Sequence, residues 1–313
     1  MNSSLLWIAS FLILTAGGYQ YQETDYQFSN ICNSLSTDSS RHTFTHGSVS
    51  ITIDASRGGR IVGLSWEDDQ ILLQSAPNLP NFGSTFWTAP QSRWGWPPYD
   101  ALHKAPYRAV HSGDSLILTG AVGPESGYQV VKTIWLDSAA AFSIRYTLIN
   151  RTDTTRSVGP WEVTAVPAGG LTFFRRNLKV EPLPRSTLPF ADTLGVSFLR
   201  YPPADTVLVK QKLFAFAQDG WLAHVTNSRK LFVKKFESTP PNDVAPGQGE
   251  VEVFINTQYG YMELENHGRY QLLKPNERMH YRVRWFLREL PNSIPADRIS
   301  RPLIDLVQET IDR

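Results

Sequence analysis

Two carboxyl groups and an imidazole occupy alternate positions in residues 260–270, GYMELENHGRY. If this run forms a β-strand, the side chains of Glu263, Glu265 and His267 project from one face, because successive side chains of a strand alternate. Carboxylates at this spacing lie about 6–7 Å apart at their Cα atoms, and their repulsion raises the pKa of at least one. Such a carboxyl suits general acid–base catalysis. We therefore predict these three residues to be catalytic; the alternative is a solvated strand face that pairs with an arginine.

Residues 82–98, FGSTFWTAPQSRWGWPP, place three tryptophans among three prolines. The large flat surface of an indole is well suited to stacking on a sugar ring or a cation. Arg93 can donate hydrogen bonds to sugar hydroxyls or to a carboxylate. The alternative is a loop whose aromatic side chains close one end of the fold. The predicted substrate-binding residues of this region are Trp87, Arg93, Trp94, Trp96, Asp100 and His103.

Two further candidate substrate-binding residues lie in predicted strands. Glu162 follows Trp161 at a strand start, so the two side chains should point to opposite faces and one should be in the core. Lys234 shares a strand face with Phe232 and Phe236. A lysine between two aromatic side chains can serve a binding site, or it can extend from a half-buried strand to solvent.

Several common catalytic signatures are absent from the sequence. There is no Walker loop, no Rossmann glycine fingerprint, no HExxH and no GxSxG. One Cys and seven scattered His show no metal-site spacing. We predict no cofactor and no metal, although Glu and His on one strand can ligate a metal ion. The chemistry must then come from a cleft.

The elements that position these residues are predicted to be strands, because apolar residues recur with a period of two. Examples are residues 49–54, 141–150, 250–256 and 280–287, with turn-forming residues between them. Many strands of similar length indicate a sandwich or barrel. We predict one all-β domain over residues 42–313, with a short C-terminal helix at 299–312.

Composition and the N-terminal residues restrict the partners and the cellular location that we predict for the protein. The net charge is +1, with Lys and Arg scattered, which argues against nucleic-acid binding. The apolar run from Leu5 to Leu14 is too short to cross a bilayer and has the length of a signal-peptide core. We predict a cleaved signal at residues 1–18, a linker at 19–41, no membrane span after cleavage, and secretion or periplasmic location. An uncleaved anchor is the alternative, and the single Cys32 forms no internal disulfide.

The order of several motifs resembles the galactose mutarotase-like superfamily, and within it the DUF4380 family. The segments GGRIVGLSWEDDQILLQ and FGSTFWTAPQSRWGWPP resemble the start of that superfamily's domain. LINRTDTTRSVGPWEVTAV resembles a later pair of strands, and YMELENHGRYQLLKPNERMHYRVRWFL resembles the closing segment. The resemblance covers roughly residues 45–290 and implies a β-supersandwich that binds sugars.

The resemblance also implies roles for particular residues. In aldose mutarotases of the superfamily, a strand Glu removes a proton from the anomeric hydroxyl and a His protonates the ring oxygen. The Glu of their LE segment corresponds to Glu265, with Glu263 as the second choice. Their catalytic His has no motif-matched counterpart; His103, His224 and His267 are substitutes. The resemblance implies a carbohydrate-binding protein with mono- or oligosaccharide ligands, acting as an epimerase, mutarotase-like or lyase-like enzyme. A non-catalytic carbohydrate-binding or structural envelope protein is the alternative.

Overall fold

The described residues of the computed structural model are 40–138, 141–202 and 210–312. They form twenty β-strands, numbered in chain order, and two α-helices. The strands are β1 Arg41–His46, β2 Val49–Asp54, β3 Arg60–Trp66, β4 Asp69–Gln70, β5 Ser84–Ala89, β6 Arg108–Ser112, β7 Ser115–Thr119, β8 Tyr128–Ser138, β9 Ala141–Asn150, β10 Arg156–Pro167, β11 Leu171–Phe174, β12 Ala191–Thr193, β13 Val196–Arg200, β14 Lys210–Ala215, β15 Trp221–Val225, β16 Lys230–Phe236, β17 Val251–Asn256, β18 Tyr261–His267, β19 Gln271–Leu273 and β20 Arg278–Glu289.

The strands build two antiparallel sheets of ten strands each. Sheet A has the order β1-β2-β3-β5-β10-β18-β17-β14, with β4 paired to β3 and β19 paired to β10. Sheet B has the order β12-β13-β11-β15-β16-β20-β9-β8-β7-β6. The all-β prediction, with a sandwich of two sheets and a C-terminal helix, is confirmed.

The core lies where apolar faces of both sheets meet. Ile51 of β2 and Leu264 of β18 belong to the same buried cluster as Ile144 of β9 and Trp285 of β20. Strands β2, β17 and β18 contribute alternate residues to this core, for example Val251, Val253 and Ile255 of β17, as the period of two predicts. Burying this apolar area is the main source of the fold's stability.

Strand β20 shows how the alternation divides polar from apolar side chains. Val283 and Trp285 are fully buried. Arg282 and Arg284, on the opposite face, form ion pairs with Asp137 at 2.6 and 3.0 Å. The alternation of side chains along β20 alone therefore keeps both guanidinium groups out of the core.

Helix α1 comprises Asp100–His103 and helix α2 comprises Arg301–Ile311. Helix α2 begins after Ser300, whose hydroxyl accepts a hydrogen bond from the backbone N–H of Leu303. Leu303 and Val307 are completely buried in the core. No helix among residues 40–138, 141–202 and 210–312 is long and apolar enough to span a membrane.

The predicted signal at residues 1–18, Cys32 and most of the predicted linker lie outside the described residues. The last two linker positions are described, and Arg41 already belongs to β1. The strand thus begins one residue before the predicted start of the domain.

Candidate functional site

Five adjacent strands of sheet A, in the order β5-β10-β18-β17-β14, carry the candidate site on the face that points away from sheet B. Trp161 of β10 lies opposite Trp87 of β5 on one side and His267 of β18 on the other. Glu265 of β18 lies opposite Glu252 of β17. Antiparallel pairing therefore places indoles, carboxyls and an imidazole, from distant parts of the chain, side by side on one surface.

Three indoles form the aromatic wall of the site. Trp87 is at their centre, with ring centroids 5.0 Å from Trp161 and 5.9 Å from Trp96, both in edge-to-face geometry. Trp87 and Trp161 are 3% and 1% exposed, whereas Trp96 is 55% exposed. Packing against the buried indole of Trp87 and the ring of His103 holds the exposed ring of Trp96 at the rim.

These indoles border a cleft of about 220 Å³, which we call the indole cleft. The volume is below the roughly 300–1,000 Å³ of pockets for drug-sized ligands, so a single small ring is the better match. Both apolar and polar groups line it. Its lining includes Trp87, Trp96, Trp161, Lys212, Tyr261 and Glu263.

Glu263 is the carboxyl that lines this cleft. Its Oε1 accepts a hydrogen bond from Asn81 at 2.8 Å, and the Asn81 amide oxygen accepts one from Arg60 at 2.7 Å. Burial, followed by the charge of Glu265, raises the pKa of Glu263 to about 7. The carboxyl can therefore both gain and lose a proton near neutral pH.

His103 fixes the indole wall from behind. Its Nδ1 accepts hydrogen bonds from Trp87 Nε1 at 3.2 Å and from Arg60 Nη2 at 3.1 Å. Burial and the Arg60 charge lower the pKa of His103 to about 3, so the ring stays neutral. Gly58 permits this approach: its φ is +72°, and a Cβ there would lie 2.5 Å from the His103 carbonyl oxygen.

A buried charged cluster lies next to the cleft, beside Trp161. Lys212 Nζ is 2.6 Å from Glu252 and 2.8 Å from Glu265, and Trp161 Nε1 donates to the same Glu265 oxygen at 2.8 Å. His267 stacks on Trp161 at 5.0 Å and approaches Glu252 to 3.3 Å. All of these groups except Lys212 are at most 1% exposed. Glu265 therefore serves to hold Lys212 and Trp161.

The electrostatics of the cluster follow from these distances. Burial alone would raise the pKa of Glu252, but the Lys212 ammonium and His267 outweigh it and hold the pKa at about 2. Burial would lower the pKa of Lys212, but Glu252 and Glu265 outweigh that effect and raise it. Burial raises the pKa of Glu265, although Lys212 opposes the change. Lys212 therefore stays charged.

The same cluster is where the chain could hold a metal ion. One ligand atom each from Glu252, Glu265 and His267 lies within 4.8 Å of the others. A carboxylate and imidazole donor set suits a divalent transition metal. However, the Lys212 ammonium already contacts both carboxylates, so an ion would compete with it for them.

Arg93, Trp94 and Asp100 do not line the indole cleft. Arg93 donates to the Ser157 carbonyl and, at 2.8 Å, to the Tyr270 hydroxyl. Trp94 packs beside Trp87 and borders a second cleft. Asp100 is exposed and pairs with Lys104, the residue that follows its helix. Of the predicted aromatic-loop residues, Trp87 and Trp96 thus line the indole cleft, Arg93 and Trp94 line the second cleft, and Asp100 and His103 line neither.

Glu162, on the opposite face of sheet A, and Lys234, on β16 of sheet B, meet between the two sheets. Lys234 Nζ is 2.9 Å from Glu162, and both side chains have no exposed surface. The hydroxyl of Tyr146 donates to Glu162 at 2.6 Å. Because β10 alternates, Trp161 takes the cleft face and Glu162 must take the core face. These predicted substrate-binding residues are therefore not in the cleft. His224 is also buried elsewhere, in β15, against Thr172.

Four residues that contribute to the site were not predicted from the sequence: Trp161, Lys212, Asn81 and Glu252. A local signal existed for Glu252, since it alternates with the buried valines of β17. For Lys212 and Asn81 there was none, because their roles depend on contacts across strands that are distant in sequence.

The profile of the family described as a domain of unknown function, DUF4380, matches residues 40–288. The chain belongs to this family. The predicted membership is therefore confirmed. A search of curated proteins finds no match.

Solved structures resembling this DUF4380 protein have galactose mutarotase-like folds. A galactose mutarotase-like protein from Lactobacillus casei has a TM-score of 0.54 and 12% identity, covering 79% of this chain and 100% of its own. A galactose mutarotase related enzyme from Lactobacillus acidophilus has a TM-score of 0.56 and 11% identity, covering 80% and 98%. A galactose mutarotase-like protein from Clostridium acetobutylicum has a TM-score of 0.51 and 11% identity, covering 83% and 98%. At these identities the likeness establishes the fold.

Proposed function

We propose that this DUF4380 protein binds a sugar in the indole cleft and exchanges a proton with it through Glu263, in an epimerase-like or mutarotase-like reaction. The observation that carries this proposal is one small cleft lined by three indoles and by a carboxyl whose pKa is about 7. The names of the structural neighbours agree with a sugar ligand.

The indoles supply the binding surface. A sugar ring presents C–H groups on its faces, and these pack well on an aromatic plane. Trp96, at 55% exposure, has a large free surface, while Trp87 and Trp161 are held rigidly behind it. Little conformational freedom is lost when a ligand binds to such a preformed wall.

Glu263 and Lys212 supply the chemistry. A carboxyl with a pKa near the working pH is an effective general base, and it can accept the proton of an anomeric hydroxyl. Lys212 uses two of its three N–H groups on Glu252 and Glu265, which leaves one donor for a ring oxygen. In this assignment Glu263 replaces Glu265, the first choice from the resemblance, because Glu265 is completely buried and engaged by Trp161 and Lys212.

A second candidate function is carbohydrate binding without catalysis. The observation that favours it is the position of the three histidines that could protonate the ring oxygen. His103 is held neutral behind Trp87, and His224 and His267 are buried outside the cleft lining. A sugar could then bind to the same indoles with no proton transfer to its ring oxygen.

Anomer exchange followed by NMR, with a panel of hexoses, tests the proposal. Wild type should accelerate exchange of at least one sugar, and Glu263→Gln should lose about a hundredfold to ten-thousandfold of that rate. Glu181→Gln, which alters an exposed carboxyl, is the matched control. Calorimetric binding that Trp96→Ala weakens, without any exchange, would instead support the non-catalytic function. Neither binding nor exchange of any sugar would contradict both.

We further propose that the protein is exported and acts outside the cytoplasm. The support is the sequence of residues 1–18, with its short apolar run and small residues after it.

A further inference from the structure

A second cleft, of about 340 Å³, lies beside the indole cleft. Trp94 borders it and packs against Trp87 and Trp161 at centroid distances of 5.8 and 5.9 Å. The second cleft is therefore a neighbour of the first but has different lining residues. Its distinctive members are Arg93, Trp94, Tyr99, Tyr128 and Arg156.

The charge of the second cleft is positive and uncompensated. Arg93 and Arg156 both line it, and no Asp or Glu does. Within the described part of the chain, neither guanidinium forms an ion pair. Arg156 uses Nη1 to donate to the Ser126 carbonyl at 3.0 Å, and its Nε and Nη2 make no hydrogen bond to a described residue. This pair of parallel donors matches the two oxygens of a carboxylate or phosphate.

Tyr128 adds a polar group that lacks a partner. The residue is 6% exposed, and its hydroxyl makes no hydrogen bond to any described residue. A buried hydroxyl without a partner is costly, so a ligand that accepts from it would gain that bond without breaking another. Burial raises the pKa of Tyr128, while Arg93 and Arg156 oppose the change, so the hydroxyl remains a donor.

We propose that the second cleft is a binding site for an oxyanion, a carboxylate, phosphate or sulfate group, held by Arg156, Arg93 and the hydroxyl of Tyr128. The aromatic rings of Trp94 and Tyr99 provide surfaces for a ring that carries such a group. This site does not depend on the indole cleft, and it can be present whether or not the indole cleft binds sugar.

Calorimetric titration at low ionic strength tests the proposal with galacturonate, galactose 6-phosphate, inorganic phosphate and neutral galactose as ligands. At least one anion should bind to the second cleft, with affinity that falls as salt is added. If inorganic phosphate binds as tightly as galactose 6-phosphate, the result supports the site and shows that the anionic group alone is sufficient for binding. Absence of binding for all three anions, or an affinity for each of them no greater than for neutral galactose, would overturn it.

Two variants locate that binding. Tyr128→Phe removes a hydroxyl that has no partner and therefore should fold normally; Arg156→Lys keeps the charge but removes the paired donors. Each should weaken anion binding about tenfold or more, since hydrogen bonds to charged groups are worth this much. Arg151→Lys, an exposed arginine bound to Gln129, is the control. Wild-type affinity in both Tyr128→Phe and Arg156→Lys would contradict the site.

Discussion

At the residue scale, the central feature is the difference between two carboxyls two positions apart. Glu265 is completely buried and held by Lys212 and Trp161, whereas Glu263 lines the indole cleft and, among the described residues, has only Asn81 as a side-chain hydrogen-bond partner. The alternation in YMELENH was sufficient to predict that both lie on one face with the imidazole. It could not show which carboxyl reaches the cleft, because that depends on Lys212, which comes from a strand some fifty residues earlier.

The raised pKa of Glu263 predicts a pH-dependent stability. The carboxyl titrates near 4.5 when unfolded and near 7 when folded, so the folded state binds more protons between these values. Its contribution is present in full below pH 4.5 and is lost as the pH rises through 7. Relative to Glu263→Gln, wild type should lose up to about 3 kcal/mol of unfolding free energy over this range, at 1.36 kcal/mol per pKa unit.

Urea unfolding of both proteins at pH 4.5 and pH 8 measures this difference. Glu250, whose burial also raises its pKa, is present in both proteins and its effect cancels. Parallel stability curves for wild type and Glu263→Gln would show that Glu263 titrates normally and would remove the argument for its catalytic role.

At the element scale, strand β10 separates the candidate site on one face of sheet A from the core on the other face. Its cleft face carries Trp161, and its core face carries Glu162, which joins Lys234 of β16 in sheet B. Alternation along β10 was predictable from the sequence, including the opposite directions of Trp161 and Glu162. The sequence could not show which face is the core, because this depends on the strands that pair with β10 and on the sheet packed against it.

The buried pair predicts a stability effect without a binding effect. Lys234→Met leaves Glu162 buried without its cation, which costs about 3–5 kcal/mol. Adding Glu162→Gln should recover part of this loss, because an uncompensated charge is no longer buried. Thermal or urea unfolding gives the stability, and calorimetry gives the sugar affinity, which should not change. Reduced affinity in a folded Lys234→Met protein would show that this pair acts on the cleft.

At the scale of the whole molecule, the order of loose motifs was enough to predict both the fold and the DUF4380 family. The strand repeat restricts the fold to a sandwich or barrel, and the ordered motifs select among these. The division of the aromatic loop between two clefts could not be predicted, since it depends on the packing of Trp94 between Trp87 and the second cleft. The larger cleft was also missed, because its two arginines lie more than sixty residues apart in sequence.

The proposal that the protein is exported is also tested on the whole chain. Expression of the full sequence in a bacterium, followed by fractionation and N-terminal mass measurement, should yield a periplasmic or secreted protein that begins near residue 19. A cytoplasmic product that retains Met1 would contradict this proposal and would leave the argument about the clefts unchanged.

The most direct test of the central claim is a crystal structure of the protein with the hexose that binds best in calorimetry. The account predicts that the sugar ring lies in the indole cleft against Trp96 or Trp161, with one hydroxyl within hydrogen-bond distance of Glu263 and another polar atom near Lys212. A sugar bound elsewhere, or a cleft that stays free of ligand at saturating concentration, would contradict the claim.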